Sequence, residues 1–147
     1  MEYVQIKDVC NSVIIDKTIQ CAGIYALYNV VNNKIYVGSS NNMYQRTTRH
    51  LGDLKNGKHY NRYLIRTYNK YVGFLIPVVL ECVEDKSKLI EKEQYWIDYF
   101  KSYDRELGYN ICRIADRLTG IRRTDEEKKH LSIINTGRKA SEETKKK

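Results

Sequence analysis

Three runs of β-branched and aromatic residues along the chain predict strands. The first two, residues 23–31 and 34–38, are separated by Asn32-Asn33. Asparagine tolerates the left-handed backbone conformation of tight turns, so these two runs predict a β-hairpin. The third run, residues 74–80, contains Pro77, the only proline of the chain. Because proline cannot donate a hydrogen bond to a neighbouring strand, it predicts either an edge position in the sheet or an irregular start to the strand.

Three further stretches place apolar residues at the spacing of an α-helix. The first stripe consists of Met43, Thr47, Leu51 and Leu54, and Asn56-Gly57 predicts the end of that helix. A second helix is expected over residues 61–71, with an inward face of Leu64, Ile65 and Tyr68. A third is expected from a cap at Asp85 to about Phe100, with an apolar stripe of Leu89, Ile90, Trp96, Ile97 and Phe100. The order β-β-α-α-β-α predicts an α+β fold, a small three-stranded antiparallel sheet flanked by helices.

Charge is distributed unevenly along the 147 residues, whose formal net charge is +8. Residues 23–80 contain eight basic residues and a single acid, Asp53. A solvated helix face explains many runs of charge, but ordinary surfaces mix both signs. The near absence of acids over this stretch therefore favours a polyanionic partner, of which nucleic acid is the commonest.

Several classes of protein are disfavoured by the sequence. There is no apolar run of 18 residues and no charged start followed by an apolar stretch, so we expect neither a membrane span nor a secretory signal. The four cysteines form no CxxC pair, which disfavours a zinc site. We expect free thiols and a protein located inside the cell, in the cytoplasm or nucleoid, that is not secreted.

The C-terminal part of the chain repeats a charged pattern with a period of 17 residues. Residues 120–129 and 137–146 both fit G-x-x-x-[ST]-[DE]-E-x-K-K. Thr124 and Ser141 can each cap a helix whose first turn carries acids, an arrangement that the helix dipole favours. The alternative is chance similarity within a charged tail. Because the repeat has too few apolar residues for a core of its own, we expect an extended helical basic tail over residues 119–147 that orders against a partner.

Glu93 lies within the apolar stripe of the third predicted helix instead of on its polar face. A carboxylate among apolar neighbours must be paired, protonated or bound to a metal. One interpretation is a buried salt bridge to an arginine. The other is a ligand for a hard cation such as Mg²⁺, which needs only one or two carboxylates in addition to phosphate oxygens.

Other candidates for chemistry lie on the first helix and in the hairpin. Arg46 and His50 are four residues apart and share a helix face, either as ordinary surface residues or as the lining of a cleft. Tyr25 and Tyr36 are either packing partners across the hairpin or chemically active. A phenol ordinarily has a pKa of about 10. Nearby Mg²⁺, Arg46 and Lys34 would lower the pKa of a tyrosine and let it accept a proton from water.

In this order and spacing, these residues resemble the motifs of the GIY-YIG nuclease superfamily. Gly23-Ile24-Tyr25 matches the first motif, and Tyr36-Val37-Gly38 matches the second with Val in place of Ile. The family's helix arginine, two histidines, glutamate and asparagine are matched by Arg46, His50, His59, Glu93 and Asn110. The resemblance covers residues 23–112. The tail repeat resembles the short DNA-binding modules appended to homing endonucleases of this superfamily.

The resemblance implies metal-dependent hydrolysis of phosphodiester bonds in double-stranded DNA. The implied catalytic residues are Tyr25, Tyr36, Arg46, His50, Glu93 and Asn110. Glu93 would hold Mg²⁺ or Mn²⁺, and Tyr25 would activate the attacking water. Tyr36 and His50 would support proton transfer or contact phosphate, and Asn110 would orient the site or contact phosphate. The expected DNA contacts are Lys34, Arg49, His59, Arg122, Arg123, Asn135, Arg138 and Lys139. We expect a monomer without a small-molecule cofactor.

The sequence thus predicts an N-terminal extension of unknown role (residues 1–22), a nuclease domain (23–112) and a DNA-binding tail (119–147). Three functions remain open at this point: an endonuclease of the intron-encoded homing type, a DNA-binding protein that has lost catalysis on the same fold, and a structure-specific repair nuclease. The complete set of motif residues favours an enzyme. The tail repeat favours the homing type.

Overall fold

The computed structural model describes residues 13–115 together with Lys129 and Ile133. The chain divides into two compact units, Met1–Arg117 and Leu118–Lys147, and the features below belong to the first. Its elements are β1 (Gly23–Asn29), β2 (Ile35–Ser40), α1 (Met43–Lys55), α2 (Arg62–Lys70), β3 (Leu75–Cys82), a 3₁₀ turn (Lys86–Lys88) and α3 (Leu89–Phe100). The predicted order β-β-α-α-β-α is confirmed within the part of the chain that the structure describes.

The three strands form one antiparallel sheet in the order β2-β1-β3. The hairpin between β1 and β2 turns at Asn33, whose φ of 60° is the left-handed conformation expected of an asparagine there. Pro77 lies in the edge strand β3, which is the first of the two positions that its missing N–H predicted. The backbone N–H of Ile15 donates to the Pro77 carbonyl at 2.9 Å, and that of Val79 donates to the Val13 carbonyl at 2.9 Å. Residues 13–15 therefore cover the outer edge of β3.

Both faces of the sheet are covered, which is why β1 is buried along its whole length. One face carries Tyr25 and Leu27 and packs against Leu54 of α1 and Leu64 of α2. The opposite face carries alternate strand residues and packs against α3, in a cluster that includes Ile24, Ala26, Ile97 and Phe100. Burial of these apolar side chains on two sides stabilises a sheet of only three strands.

Side chains cap the starts of α1, α2 and the 3₁₀ turn, whereas α3 itself begins at Leu89 without a side-chain cap. The Asn42 side chain accepts a hydrogen bond from the Gln45 N–H at the start of α1. Asn61 caps α2 in the same way, by accepting from Tyr63 N–H and Leu64 N–H. Asp85 caps the short 3₁₀ turn that precedes α3. Each cap satisfies backbone donors that the first helical turn leaves without a partner.

The inward faces of two helices differ from the prediction. On α1, His50 is buried whereas Leu51 is only half-buried, so the buried stripe passes through a histidine. On α3, Leu89 and Ile97 are eight residues apart and both buried, but Ile90 is 49% exposed. The prediction that Ile90 faces the core was wrong, because one residue further along an α-helix turns the side chain by about 100°.

Within residues 13–115, no helix combines the length and the apolar character that a bilayer crossing requires. The described cysteines, Cys21, Cys82 and Cys112, are free thiols. The Sγ atoms of Cys21 and Cys82 lie 3.3 Å apart where the start of β1 meets the end of β3.

Candidate active site

The candidate site is built around the point where the Tyr25 ring crosses strand β2. Tyr25 of β1 pairs with Gly38 of β2. A Cβ atom on residue 38 would lie 2.6 Å from the Tyr25 hydroxyl oxygen and 2.7 Å from its Cζ, closer than real Cβ contacts allow. Glycine at the end of the Tyr36-Val37-Gly38 motif is therefore required by the close approach of the tyrosine ring.

A chain of buried hydrogen bonds leads away from the Tyr25 hydroxyl. His50 Nε2 of α1 lies 2.8 Å from the Tyr25 hydroxyl oxygen. His50 Nδ1 lies 2.6 Å from His59 Nε2. The backbone N–H of Asn61 donates to His59 Nδ1 at 3.0 Å. Both imidazoles are buried, at 4% and 5% exposure, so water does not compete for these bonds.

Tyr36 lies on the same face of the sheet as Tyr25 but pairs with Leu27, so the two tyrosines are diagonal neighbours. The Tyr36 and His50 rings lie 5.6 Å apart between centroids. The Tyr36 hydroxyl lies 2.7 Å from the hydroxyl of Tyr60, a residue that is 52% exposed. Tyr60 in turn stacks on His59 at 4.6 Å. The rings of Tyr25, Tyr36, Tyr60, His50 and His59 thus form one continuous cluster, which reaches the surface at Tyr60.

Arg46 lies one turn before His50 on α1 and is exposed to solvent. Its guanidinium holds the pKa of Tyr25 lower than burial alone would, through both its charge and a hydrogen bond. Burial lowers the pKa of His50 to about 3, and the Arg46 charge contributes because it disfavours a positive charge on the imidazole. Burial also lowers the pKa of His59. Both histidines are therefore neutral at physiological pH.

Burial raises the pKa of both tyrosines, whereas the expectation from the sequence was that Mg²⁺, Arg46 and Lys34 together would lower the pKa of a tyrosine. For Tyr25, loss of hydration outweighs the attraction of Arg46, and the Glu93 carboxylate raises the pKa further. Burial also raises the pKa of Tyr36 well above its usual value. The Lys34 Nζ donates to the Arg105 carbonyl at 2.5 Å and to the Tyr63 hydroxyl at 3.1 Å.

Glu93 approaches the tyrosines from the other face of the sheet. It lies on the inward side of α3, half-buried, and its Oε2 accepts a hydrogen bond from Ser39 Oγ at 2.5 Å. Ser39 directly follows Gly38 in β2. The Glu93 charge raises the pKa of both Tyr25 and Tyr36, so the carboxylate is close enough to act on both phenols. The predicted convergence of Tyr25, Arg46 and Glu93 is therefore found in the fold.

The donor atoms at this point suit a hard divalent cation bound together with a phosphate. Among residues 13–115, no group of three or more His, Cys, Asp or Glu side chains could hold a metal on its own. Mg²⁺ is commonly held by one or two carboxylates while substrate oxygens and water complete its coordination. The half-buried carboxylate of Glu93, aligned by the Ser39 hydroxyl, fits that requirement.

Asn110 supports strand β2 instead of facing a substrate. Its side-chain Oδ1 accepts from the Val37 N–H at 2.8 Å, and its Nδ2 donates to the Val37 carbonyl at 2.9 Å. The amide therefore pairs with β2 as another strand would, on the edge that β1 leaves open. Since both polar ends of this buried side chain are occupied, the structure supports the expectation that Asn110 orients the site and contradicts a phosphate contact.

The predicted DNA-binding residues have different surroundings. Arg49 has a 75% exposed side chain, 3.8 Å from Asp53, and is available to a ligand. His59 is buried with both ring nitrogens bonded and is not placed to contact DNA. The half-buried Lys34 donates to the Tyr63 hydroxyl and to the Arg105 carbonyl, which uses two of the three donors of its ammonium. The remaining predicted contacts lie outside the described residues: Arg122, Arg123, Asn135, Arg138 and Lys139.

Sequence reasoning missed three residues of the site: Ser39, Tyr60 and Asn61. Ser39 and Tyr60 each adjoin a residue that was singled out, Gly38 and His59 respectively. Adjacency to a motif was the only available signal. The backbone role of Asn61 depends on how the loop before α2 folds over α1, which no local pattern encodes.

The chain was compared with protein families and with individual known proteins. A family model described as the GIY-YIG catalytic domain matches residues 21–110. Intron-associated endonuclease 1 of Enterobacteria phage T4 is 38% identical over 92 residues, which make up 62% of this chain and 37% of the phage protein. The chain thus spans little more than a third of the length of this relative.

Two solved structures share the fold. The catalytic domain of homing endonuclease I-TevI is 37% identical, with a TM-score of 0.57, over 62% of this chain and 98% of that one. A mutant form of the catalytic domain of intron endonuclease I-TevI is 36% identical, with a TM-score of 0.58, over 64% of this chain and 96% of that one. These similarities confirm the predicted fold class and the resemblance over the first unit. The family model covers more than half of the chain, and the chain belongs to the GIY-YIG family.

Proposed function

We propose that this chain is a divalent-metal-dependent DNA endonuclease that hydrolyses phosphodiester bonds at the Tyr25–Arg46–Glu93 site. The observation that carries the proposal is the meeting of these three groups beside Gly38, although they come from a strand and two helices on opposite faces of the sheet. Stability alone does not call for a polar cluster of this kind, since buried phenols and a half-buried carboxylate lose hydration. A cluster of groups with perturbed pKa values is typical of a catalytic site.

Tyr25 is the general base in this proposal. Because its raised pKa keeps the phenol protonated, Tyr25 first loses its proton to solvent. Arg46 and the imidazole of His50 stabilise the phenolate, which then accepts a proton from the attacking water. Tyr36 packs beside the His50 ring and forms a hydrogen bond with Tyr60 at the surface. Arg46 is exposed, so a phosphate can reach its guanidinium, whose positive charge would offset charge that develops on the phosphate.

Mg²⁺ or Mn²⁺ held by Glu93, when bound, would supply Lewis-acid stabilisation of the scissile phosphate. The Ser39 hydroxyl keeps the Glu93 carboxylate oriented for that role through its 2.5 Å hydrogen bond. The protein needs to provide only this one carboxylate, because phosphate and water oxygens complete the coordination of such an ion.

Double-stranded DNA is the proposed substrate, approached through the basic surface of residues 23–80. The exposed Arg46 and Arg49 are the described residues of that stretch nearest the site on α1. The similarity to an intron-associated endonuclease favours the homing type among the functions left open by the sequence. The arrangement of Tyr25, Arg46 and Glu93 in one cluster favours an enzyme over an inactive DNA-binding protein on the same fold.

Cleavage assays with the purified chain test the proposal. Supercoiled plasmid and a long mixed-sequence linear duplex are incubated with the protein in Mg²⁺, in Mn²⁺ and in EDTA, and branched junctions of equal length serve as competing substrates. We expect nicking or linearisation of duplex DNA in either metal and none in EDTA. Cleavage restricted to branched DNA would point to the repair type, and binding without cleavage in both metals would contradict the nuclease function.

A further inference from the structure

The hydrogen-bond chain behind Tyr25 ends at a group that can only donate. The backbone N–H of Asn61 points at His59 Nδ1 over 3.0 Å. That nitrogen must therefore carry a lone pair and no proton. A neutral imidazole has one protonated and one unprotonated nitrogen, so the proton of His59 is on Nε2.

The same reasoning fixes the second imidazole. His59 Nε2–H faces His50 Nδ1 over 2.6 Å, so His50 Nδ1 is the acceptor. The proton of a neutral His50 is then on Nε2, which lies 2.8 Å from the Tyr25 oxygen. Every donor in the series points from the Asn61 amide towards the phenol. The depressed pKa values of both histidines agree with neutral rings throughout.

The Asn61 amide at the start of the series is firmly placed. Asn61 is fully buried, and its side-chain oxygen accepts from the backbone N–H groups of Tyr63 and Leu64 at the first turn of α2. Its side-chain nitrogen donates to the Tyr109 carbonyl at 2.7 Å. The direction of the Asn61 N–H is thus set by the start of a helix and by the core, and it does not follow the histidines.

We infer that His59 is a positioning residue that locks His50 in the Nε2–H tautomer, so that His50 donates to Tyr25 and cannot take its proton. The consequence for catalysis rests on the proposed function. The proton of the neutral Tyr25 phenol faces away from His50, and the deprotonated form of Tyr25 gains a fixed hydrogen-bond donor. His59 therefore acts on the reaction through His50 and not through DNA.

The other pair of neutral tautomers, with the proton on Nδ1 in both His50 and His59, would lose buried hydrogen bonds. If His50 Nε2 accepted a hydrogen bond from the Tyr25 hydroxyl while the ring remained neutral, the proton of His50 would lie on Nδ1 and face His59 Nε2. The proton of His59 would then lie on Nδ1, where it would meet the Asn61 N–H. Two buried donors would face each other with no acceptor between them, and both would lose their hydrogen bonds.

The tautomer can be read without any substrate. Long-range ¹⁵N–¹H correlation spectra of the full chain, labelled with ¹⁵N at histidine, distinguish protonated from unprotonated ring nitrogens at neutral pH. Assignment uses the variants described below. We expect the proton on Nε2 in both His50 and His59. A His50 proton on Nδ1 would overturn the inference whether or not the protein cuts DNA.

Two variants separate a donor at residue 59 from a merely structural ring. In His59→Gln, the side-chain amide offers an oxygen to the Asn61 N–H and an N–H to His50 Nδ1. In His59→Phe, a ring of similar shape offers neither. We expect the His50 proton to stay on Nε2 in the Gln variant and to divide between the two nitrogens in the Phe variant. Because the ring is buried, DNA affinity should be unchanged in both.

The cleavage rate should depend on whether residue 59 offers an N–H donor to His50 Nδ1. Single-turnover cleavage by His59→Phe should fall on the order of 10²-fold, and His59→Gln should recover the rate to within about tenfold of wild type. Equal losses in the two variants with a folded spectrum, or a loss that appears only in DNA affinity, would overturn the positioning role. A wild-type chain that cuts no DNA but carries the His50 proton on Nε2 would support the tautomer lock and contradict the nuclease function instead.

Discussion

At the scale of single residues, the site depends on contacts that leave little room for change. The phenol of Tyr25 occupies the space that a side chain at residue 38 would need. Its oxygen meets His50 at 2.8 Å, and the Ser39 hydroxyl meets Glu93 at 2.5 Å. Consecutive residues of β2 therefore serve opposite faces of the sheet: Gly38 admits the tyrosine on one face, and Ser39 orients the carboxylate on the other.

Gly38→Ala tests whether the close approach of Tyr25 to β2 matters for function. The added methyl group would force the ring away from His50, so we expect cleavage to fall on the order of 10²-fold and the free energy of unfolding to fall by about 1–3 kcal/mol. Gly52→Ala on α1 is the matched control, because nothing lies within 4 Å of a Cβ there. A Gly38→Ala enzyme with wild-type cleavage would show that Tyr25 does not need its observed position.

Acid should destabilise the fold through His50. Its pKa falls from 6.5 to about 3 on folding. Between pH 6.5 and pH 3, His50 is therefore protonated in the unfolded chain but neutral in the folded chain. Stability from this group is complete above pH 6.5 and is lost as the pH falls towards 3, at a rate of roughly 1.4 kcal/mol per pH unit. Urea unfolding at a series of pH values measures the slope. His50→Gln should flatten it, and an equal slope in that variant would assign the acid sensitivity to other groups.

At the scale of secondary-structure elements, the sheet is completed at both edges by segments that are not strands. Residues 13–15 bond to the outer side of β3, and the side chain of Asn110 bonds to the outer side of β2. Both segments lie at a distance along the chain from the strand that they cover. A sheet of three strands thereby avoids open edges next to the site.

Asn110→Ala should destabilise this arrangement. Loss of the side-chain amide leaves the buried N–H and carbonyl of Val37 without those partners, at a cost of about 1–3 kcal/mol. Urea denaturation measures the change, with the exposed Asn41→Ala as the control. If unfolding were unaffected while cleavage was lost, Asn110 would contact the substrate after all, and its structural role would be secondary.

The elements were predictable because their signals are local. The asparagine pair marked the hairpin, Pro77 marked the edge strand, and the interval between Leu89 and Glu93 placed the carboxylate on the inward side of α3. Tertiary contacts were not predictable in the same way. The sequence could not reveal that the loop before α2 would bury His59 behind His50, or that the Lys34 ammonium would be bound by residues distant in sequence. Tyr25 and Tyr36 were recognised by motif, yet the direction of their pKa shifts depends on burial, which only the fold determines.

At the scale of the whole molecule, positive charge is concentrated in two stretches of sequence. Residues 23–80 surround the site, and residues 119–147 carry nine basic and five acidic side chains. The first stretch would hold DNA at the catalytic groups, and the second would add contacts to the phosphate backbone. Contacts of the second kind carry little sequence information but contribute to affinity.

Removal of residues 119–147 tests the role of the tail. Since each phosphate contact releases counterions, the plot of log affinity against log salt should become less steep when these basic residues are removed. Fluorescence anisotropy with a labelled duplex, from about 50 to 200 mM salt, measures the slope. An unchanged slope in the truncated chain would show that the tail does not contact the DNA backbone.

The most direct test of the central claim compares two carboxylates on the same helix. Glu93→Gln removes the charge that we place at the metal, whereas Glu91→Gln removes an exposed charge two residues away on α3. Single-turnover cleavage of plasmid DNA in Mg²⁺ should fall by at least about 10²–10³-fold in Glu93→Gln, with DNA affinity and unfolding close to wild type, and should be unaffected in Glu91→Gln. Wild-type cleavage by a folded Glu93→Gln protein would contradict the assignment of this cluster as a metal-dependent nuclease site.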